Sequence, residues 1–492
     1  MLRMSCTQGK TSQDHGTPLQ HIPKWCNNVK HVSIGQIPGK TLVGLQAFGK
    51  LKEIHIRNCQ EIEEIEGIAN LPHLSTLEVL TCEKLRSITE VGECKHLKKL
   101  SIKGCFKLED ISPLAKCLKV ETLILDCRNT DLAPIAGCAA LKHLDAKWLF
   151  ANSNATLHPL ANCTNLQKIK LYGCRHITHV APLAICTQLK ELKLLGCNKI
   201  QEIAQLASCT QLKALILIDC EKVPSQDIAH VARELRDLNH LVMTECNNLT
   251  TLAPLGECTA LQTLDVDGCT MLKDIAAITN IRNLEQLNIT YCNNLLSIAP
   301  LTLCSKLETL KMYGCNNVGD ITPLSRCVRL KHLELNEVAD LTPLAGCVAL
   351  QHLEMGRCYS IADLTPLRGC AALQYLEMGM CYRIADLTPL QACAALQHLD
   401  MEGCFGITDL TPLQACAALQ HINMEGCYGI TDLTPLQACT ALQHINMKRC
   451  FGITDLTPLQ ACTALQYINM KGCYGITDLT PIQACAEAEV YI

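Results

Sequence analysis

Cys358, Cys381, Cys404, Cys427, Cys450 and Cys473 stand 23 residues apart, and Cys370, Cys393, Cys416, Cys439, Cys462 and Cys485 keep the same step. A chain with a period this short is committed to a stack of small units, because one unit cannot enclose a core of its own. The unit reads LQHINMEGCYGITDLTPLQACTA, and tracing L-x-x-L-x-L-x-x-C backwards predicts 20 turns of 20 to 26 residues, the first starting at Val29 and the last at Leu465. The length of 492 residues agrees, since it exceeds what one compact core usually holds.

Within a unit, Leu419, Ile422 and Met424 fall at intervals of three and two, so a short parallel strand would turn them inward and leave His421, Asn423 and Glu425 in solvent. The return arm Ile430–Leu436 carries Pro435, which rules out a central strand and suits a 3₁₀ or irregular segment. The turns are near-identical over 350–485, and two depart from the pattern. At 212–237 an insertion places Ile228, Val231, Leu235 and Leu238 at helical spacing, which predicts one outer helix near 225–237 capped by Ser225. At 141–165 the segment from Trp148 to Asn154 replaces a Cys turn and reads as a bulge. Residues 1–27 read as an amino-terminal cap, with Ile22, Trp25 and Val29 over the first turn, and 28–492 as the repeat array. Ala488–Ile492 begin another strand without a polar capping segment, so that end is expected to be covered by another subunit or to be a point of truncation.

These residues resemble the leucine-rich-repeat family, in its cysteine-containing kind, where Cys stands for the usual Asn at the strand end. The arm I-T-D-L-T-P-L is similar to that of internalin-type, short-arm repeats, and the phrase G-C-x-G-I-T-D-L-T-P-L to leucine-rich-repeat proteins of trypanosomes, some of which carry a RING finger. The resemblance implies an α/β solenoid with a curved parallel sheet on its concave face and mostly 3₁₀ or irregular convex arms. No C-x-x-C pair exists in the chain, so the RING and its ligase activity do not carry over.

Composition narrows the function. Lys plus Arg number 43 against 47 Asp plus Glu, a net charge of −4, which gives no global attraction to nucleic acid or anionic membrane. Aromatics make up only 3% of the chain, which argues against base-stacking platforms and aromatic-lined cofactor pockets. The 35 cysteines form two ladders, 17 at strand ends and 16 before strands, with only Cys6 and Cys26 outside both. Cysteines of successive turns would point in parallel rather than toward one another, so they read as reduced, buried fillers whose S–H groups bond loop carbonyls. No segment predicts a secretory signal or a membrane span. The expected setting is intracellular, cytoplasmic or cytoskeletal and flagellar, with the nucleus also compatible.

The third position of each turn gives His332, His352, Tyr375, His398, His421, His444 and Tyr467, stacked about 5 Å apart if the register is right. A transition metal between His398 and His421 is one reading, but duplication copies any residue it finds, and no metal site or cofactor is assigned. The fifth position runs Glu334, Glu354, Glu377, Asp400, then Asn423, Asn446, Asn469; the seventh runs Glu402, Glu425, then Lys448, Lys471. A face divided into such sectors suits an extended protein partner. Lys168, Lys170, Lys190 and Lys193 form a basic patch in earlier turns. Enzyme signatures are missing; Gly35–Thr41 ends in GKT but is one residue short of a phosphate-binding loop. The reading is a non-enzymatic interaction scaffold or adaptor, a subunit of a larger assembly. Its rivals are substrate recognition for a ubiquitin ligase and an RNA-binding scaffold of a ribonucleoprotein.

Overall fold

The turn that starts at Leu419 shows how the unit folds in the computed structural model of the protein, which describes residues 2–5, 28–36, 40, 44–127, 132–147, 156–173, 175–483, 485 and 488–492. Leu419, Ile422 and Met424 are buried, and His421, Asn423 and Glu425, which alternate with them, are partly exposed. The strand they form, His421–Asn423, pairs in parallel with His398–Asp400 on one side and His444–Asn446 on the other. The chain then turns through Gly426, whose φ of 73° lies in the left-handed region that favours glycine. Cys427 enters the core and its thiol donates to the Met401 carbonyl at 3.1 Å. In the return arm the Asp432 carboxylate accepts the Thr434 N–H at 2.8 Å, starting a 3₁₀ turn, Thr434–Ala438, with Pro435 in its first positions. Cys439 closes the unit, its thiol against the Leu413 and Cys416 carbonyls at 3.6 Å each.

Such turns build two compact units, Met1–Asn248 and Leu249–Ile492. In the first, strands β1 (Leu2–Ser5) to β11 (His240–Thr244) pair in chain order, all parallel, and β2 (His31–Gly35) to β11 have five residues each. The one α-helix among its described residues, α1, spans Ser225–Glu234 and buries Ile228, Val231 and Ala232. Ser225 does not cap it: Pro224 holds the N-cap position and Ser225 is the first helical residue. The Asp227 carboxylate instead accepts the N–H groups of Ile203 and Ala204 in the preceding turn, at 2.8 and 3.1 Å, which ties the helix to its neighbour.

In the second unit, β12 (Thr263–Asp265) to β22 (Glu489–Tyr491) also pair in chain order and in parallel, with three residues each. In seven of these eleven strands the shortening has a local cause. At Asp265, Asn288, Glu377, Asp400, Asn423, Asn446 and Asn469, the side-chain oxygen accepts the backbone N–H two residues on, at 2.9–3.2 Å, and bends the chain out of the sheet. Most of the matching positions in the first unit, such as Ile124, Lys170 and Val242, have no carbonyl or carboxylate oxygen to offer. The cap residues Ile22 and Trp25, the Trp148–Asn154 bulge, and part of Gly35–Thr41 lie outside the described residues.

Candidate functional site

Because buried leucines and isoleucines alternate with solvent-facing residues at every rung, each outward position of the second unit becomes a column along its sheet. The third-position column is a stack of rings. His332 and His352 have centroids 4.1 Å apart with planes 12° from parallel, and His352–Tyr375, His398–His421 and His421–His444 follow at 4.1, 4.1 and 4.3 Å. Tyr375–His398 and His444–Tyr467 are looser, at 5.6 and 5.9 Å. All seven sequence-identified rings thus join one ladder. Stacking covers their faces and leaves them half-buried.

The fifth-position column beside it changes chemistry along the sheet. Glu334 accepts from His332 at 2.7 Å and from Lys311 at 2.6 Å; burial pushes its carboxyl up, but these two contacts outweigh it and hold the group at about 2. Glu354 pairs with His352 at 2.8 Å. Burial pushes the Glu377 carboxyl above its ordinary range, the Gly379 N–H draws it back at 2.9 Å, and the neighbouring Asp400 and Glu354 push it up again. From there an amide ladder begins: Asn423 donates to Asp400 at 2.9 Å, and Asn446 donates to Asn423 at 2.9 Å. Asn469 continues the column and is buried. In the seventh-position column Glu402 sits 3.5 Å from the Asn423 amide, Lys448 bridges Glu425 at 2.6 Å, and Lys471 lies over the Tyr491 ring at 5.2 Å.

Burial and the neighbouring imidazoles His398 and His444 hold His421 down to about 4, and burial likewise lowers His398, so the middle of the ladder is uncharged at neutral pH. Around it Tyr375, His398, Asp400, His421, Asn423, His444, Asn446 and Tyr467 line a shallow groove of about 260 Å³. The stacked rings present their ligating nitrogens in a row rather than around a point. Among the described residues no three His, Cys, Asp or Glu side chains converge to hold a metal ion.

In the first unit Lys168 and Lys170 lie on β8 (Lys168–Tyr172) and Lys193 on β9 (Glu191–Leu195), with Lys190 exposed just before β9. Glu191 sits between the strands' lysines, 3.2 Å from Lys168 and 2.8 Å from Lys193. Lys170 and Lys147 both stand over the Tyr172 ring, at 4.9 and 5.1 Å. The lysines are brought together, but with a carboxylate in their midst.

One feature is not among the sequence expectations, in which the scarcity of aromatics argues against base-stacking platforms and aromatic-lined pockets. The residue after each strand-end cysteine from Cys358 onward is Tyr or Phe, and these six side chains form a second stack, from Tyr359 to Tyr474, at the turn that ends the strand. The repeated C-Y and C-F pairs were its signal in the sequence. Among the described residues no helix is long and apolar enough to cross a membrane.

No family model matches the sequence, and no curated protein matches it. Solved structures do. The crystal structure of a TLR13–ssRNA13 complex superposes with a TM-score of 0.56 at 16% identity, covering 90% of this chain and 78% of that one. A leucine-rich-repeat protein of Leptospira interrogans aligns over 92% of this chain and 93% of its own at 13% identity, with a TM-score of 0.42. An internalin of Listeria monocytogenes, InlF, aligns over 83% of each chain at 18% identity, with a TM-score of 0.31. Parallel strands stacked in chain order, 3₁₀ return arms and the L-x-x-L-x-L period, with the first of these superpositions, make the fold of this chain a leucine-rich-repeat solenoid.

Proposed function

We propose that this chain is a non-enzymatic protein-interaction scaffold, a subunit of a larger assembly, and that it holds its partner on the solvent face of the second unit's sheet. The observation that carries this reading is a face already fixed before any partner arrives. Seven stacked rings run beside a column of carboxylates and hydrogen-bonded amides in register from His332 to Asn469. Side chains held this way lose little freedom on binding, so more of the contact energy appears as affinity. The sector from Glu354 to Glu402 favours a basic stretch of partner, and Lys448 and Lys471 an acidic one.

The TLR13 structure was solved as a complex with ssRNA13, which makes RNA the rival ligand for this chain. Glu191 among the lysines of the basic patch weighs against it. The intact chain and a Glu377→Lys, Asp400→Lys variant, both checked for folding by circular dichroism, would be used to capture partners, with contacts located by cross-linking. Loss of the captured protein from the variant supports the reading; full retention overturns it. If RNA is captured instead, with binding that weakens steeply with salt and on Lys168→Ala, Lys170→Ala, Lys193→Ala, the scaffold reading gives way to the nucleic-acid one. Ligase subunits among the captured proteins would assign the scaffold to substrate recognition.

A further inference from the structure

The second stack of rings lies apart from the face just described. Tyr359, Tyr382, Phe405, Tyr428, Phe451 and Tyr474 follow one another with centroids 5.4, 5.1, 5.2, 5.3 and 6.3 Å apart and planes within 20° of parallel. Unlike the histidine ladder they are open: the first five are 41–49% exposed and Tyr474 is 87% exposed. Six rings at this exposure make an apolar strip of a few hundred Å², the size that marks an interaction site rather than scattered surface apolarity.

The geometry of the strip selects its occupant. Between Tyr359 and Tyr474 each ring faces the next, so a nucleobase or sugar laid along the strip finds edges, with a free face only at the two ends. The step from ring to ring decides between peptide conformations. An α-helix rises 5.4 Å per turn, so residues at i, i+4, i+7 and i+11 of a helix laid along the strip meet successive rings and drift by only about 1 Å over four rungs. An extended strand spaces its same-face side chains about 6.7 Å apart and slips by a whole rung over the same length. We propose that this strip is a docking rail for an amphipathic helix of a partner protein, which sets one apolar side chain against each ring.

The test uses two displayed peptide libraries selected against the full chain, one with apolar positions at helical spacing and one with them alternating. The proposal expects binders from the helical library alone. They should become helical when bound, cross-link near Phe405 and Tyr428, and lose at least tenfold in affinity to a Phe405→Ser, Tyr428→Ser variant whose thermal melt is otherwise intact. They should keep their affinity for the Glu377→Lys, Asp400→Lys variant, which separates the rail from the sheet face. Binders from the alternating library, binding indifferent to the rail variant, or a concentration-dependent dimer of the full chain that the same variant abolishes would each overturn it; the last would make a second copy the occupant.

Discussion

In the second unit the turn position before each strand-end cysteine takes a left-handed backbone whatever residue stands there. Gly403, Gly426 and Gly472 have φ of 69°, 73° and 83°, and Arg357, Met380 and Arg449 have 63°, 62° and 62°. An alanine at Gly426 would meet nothing closer than 3.8 Å, so its cost is conformational and not steric, about 1 kcal/mol. Arg449→Gly should run the other way and stabilise by about 0.5 kcal/mol, the relief of strain being partly offset by the freer unfolded chain. Denaturant melts of the two variants check the pair, and equal effects of the same sign would refute the account. The cysteines make a second prediction at this scale. Burial holds Cys427 at about 12 and Cys439 at about 11, far from the thiolate that reacts with alkylating agents. Site-resolved labelling of the native protein at pH 8 should leave both unmodified over hours and modify both at once in denaturant, with Cys473 and Cys485, 6% and 7% exposed, leading the native reaction among the described cysteines.

At the scale of the turn, each element binds its neighbours rather than itself. The Leu419 turn presents Leu, Ile and Met to a turn that begins with Leu396 and to one that begins with Leu442, and both expose nearly the same residues. Removing residues 419–441, one whole period, should therefore rejoin matching faces and leave a cooperative fold with a slightly smaller denaturant slope. Removing residues 419–430 instead takes away the strand and leaves its return arm without one, and should cost the second unit its cooperative unfolding; circular dichroism melts of both deletions distinguish the outcomes. This same regularity explains what could be read in advance. L-x-x-L-x-L placed the strands and the buried side, and Pro435 placed the non-strand arm. Ser225 misled because cap preference is a local signal, whereas the neighbouring turn's N–H groups had already engaged Asp227. The aromatic rail and the amide ladder were hidden for the opposite reason. Their contacts join residues 23 positions apart, and a sequence shows that two such residues recur without showing which way a turn directs them.

Over the whole molecule, charge and burial set the response to acid: the first unit holds a lowered histidine, His143, and lowered carboxylates such as Glu78 and Glu191, and the second unit holds the histidine ladder. His421 is held to about 4 by burial and its neighbouring imidazoles, against about 6.5 for an unfolded histidine. A lowered histidine binds its proton less readily when folded, so the stability it carries is complete above pH ~6.5 and is lost as pH falls toward 4. His398 is lowered in the same direction and adds to the loss. Depressed carboxylates follow at lower pH. Asp320, Asp340, Asp363, Asp386, Asp432, Asp455 and Asp478 are each lowered by the threonine hydroxyl and N–H they accept, and Glu334 lies at about 2. Their contribution is present above about pH 4 and disappears as they protonate. All of these groups belong to Leu249–Ile492. Hydrogen exchange at pH 7, 5 and 3, corrected for intrinsic rates, should therefore show protection in the second unit falling first in the strands from His398 to Asn446 and then across its return arms. The variant His421→Phe keeps a ring in the stack and removes its proton, so it should lose less stability than the parent between pH 7 and 5, by a few degrees in the melting midpoint. Equal pH slopes for parent and variant would mean that the ladder is not the source of the acid sensitivity.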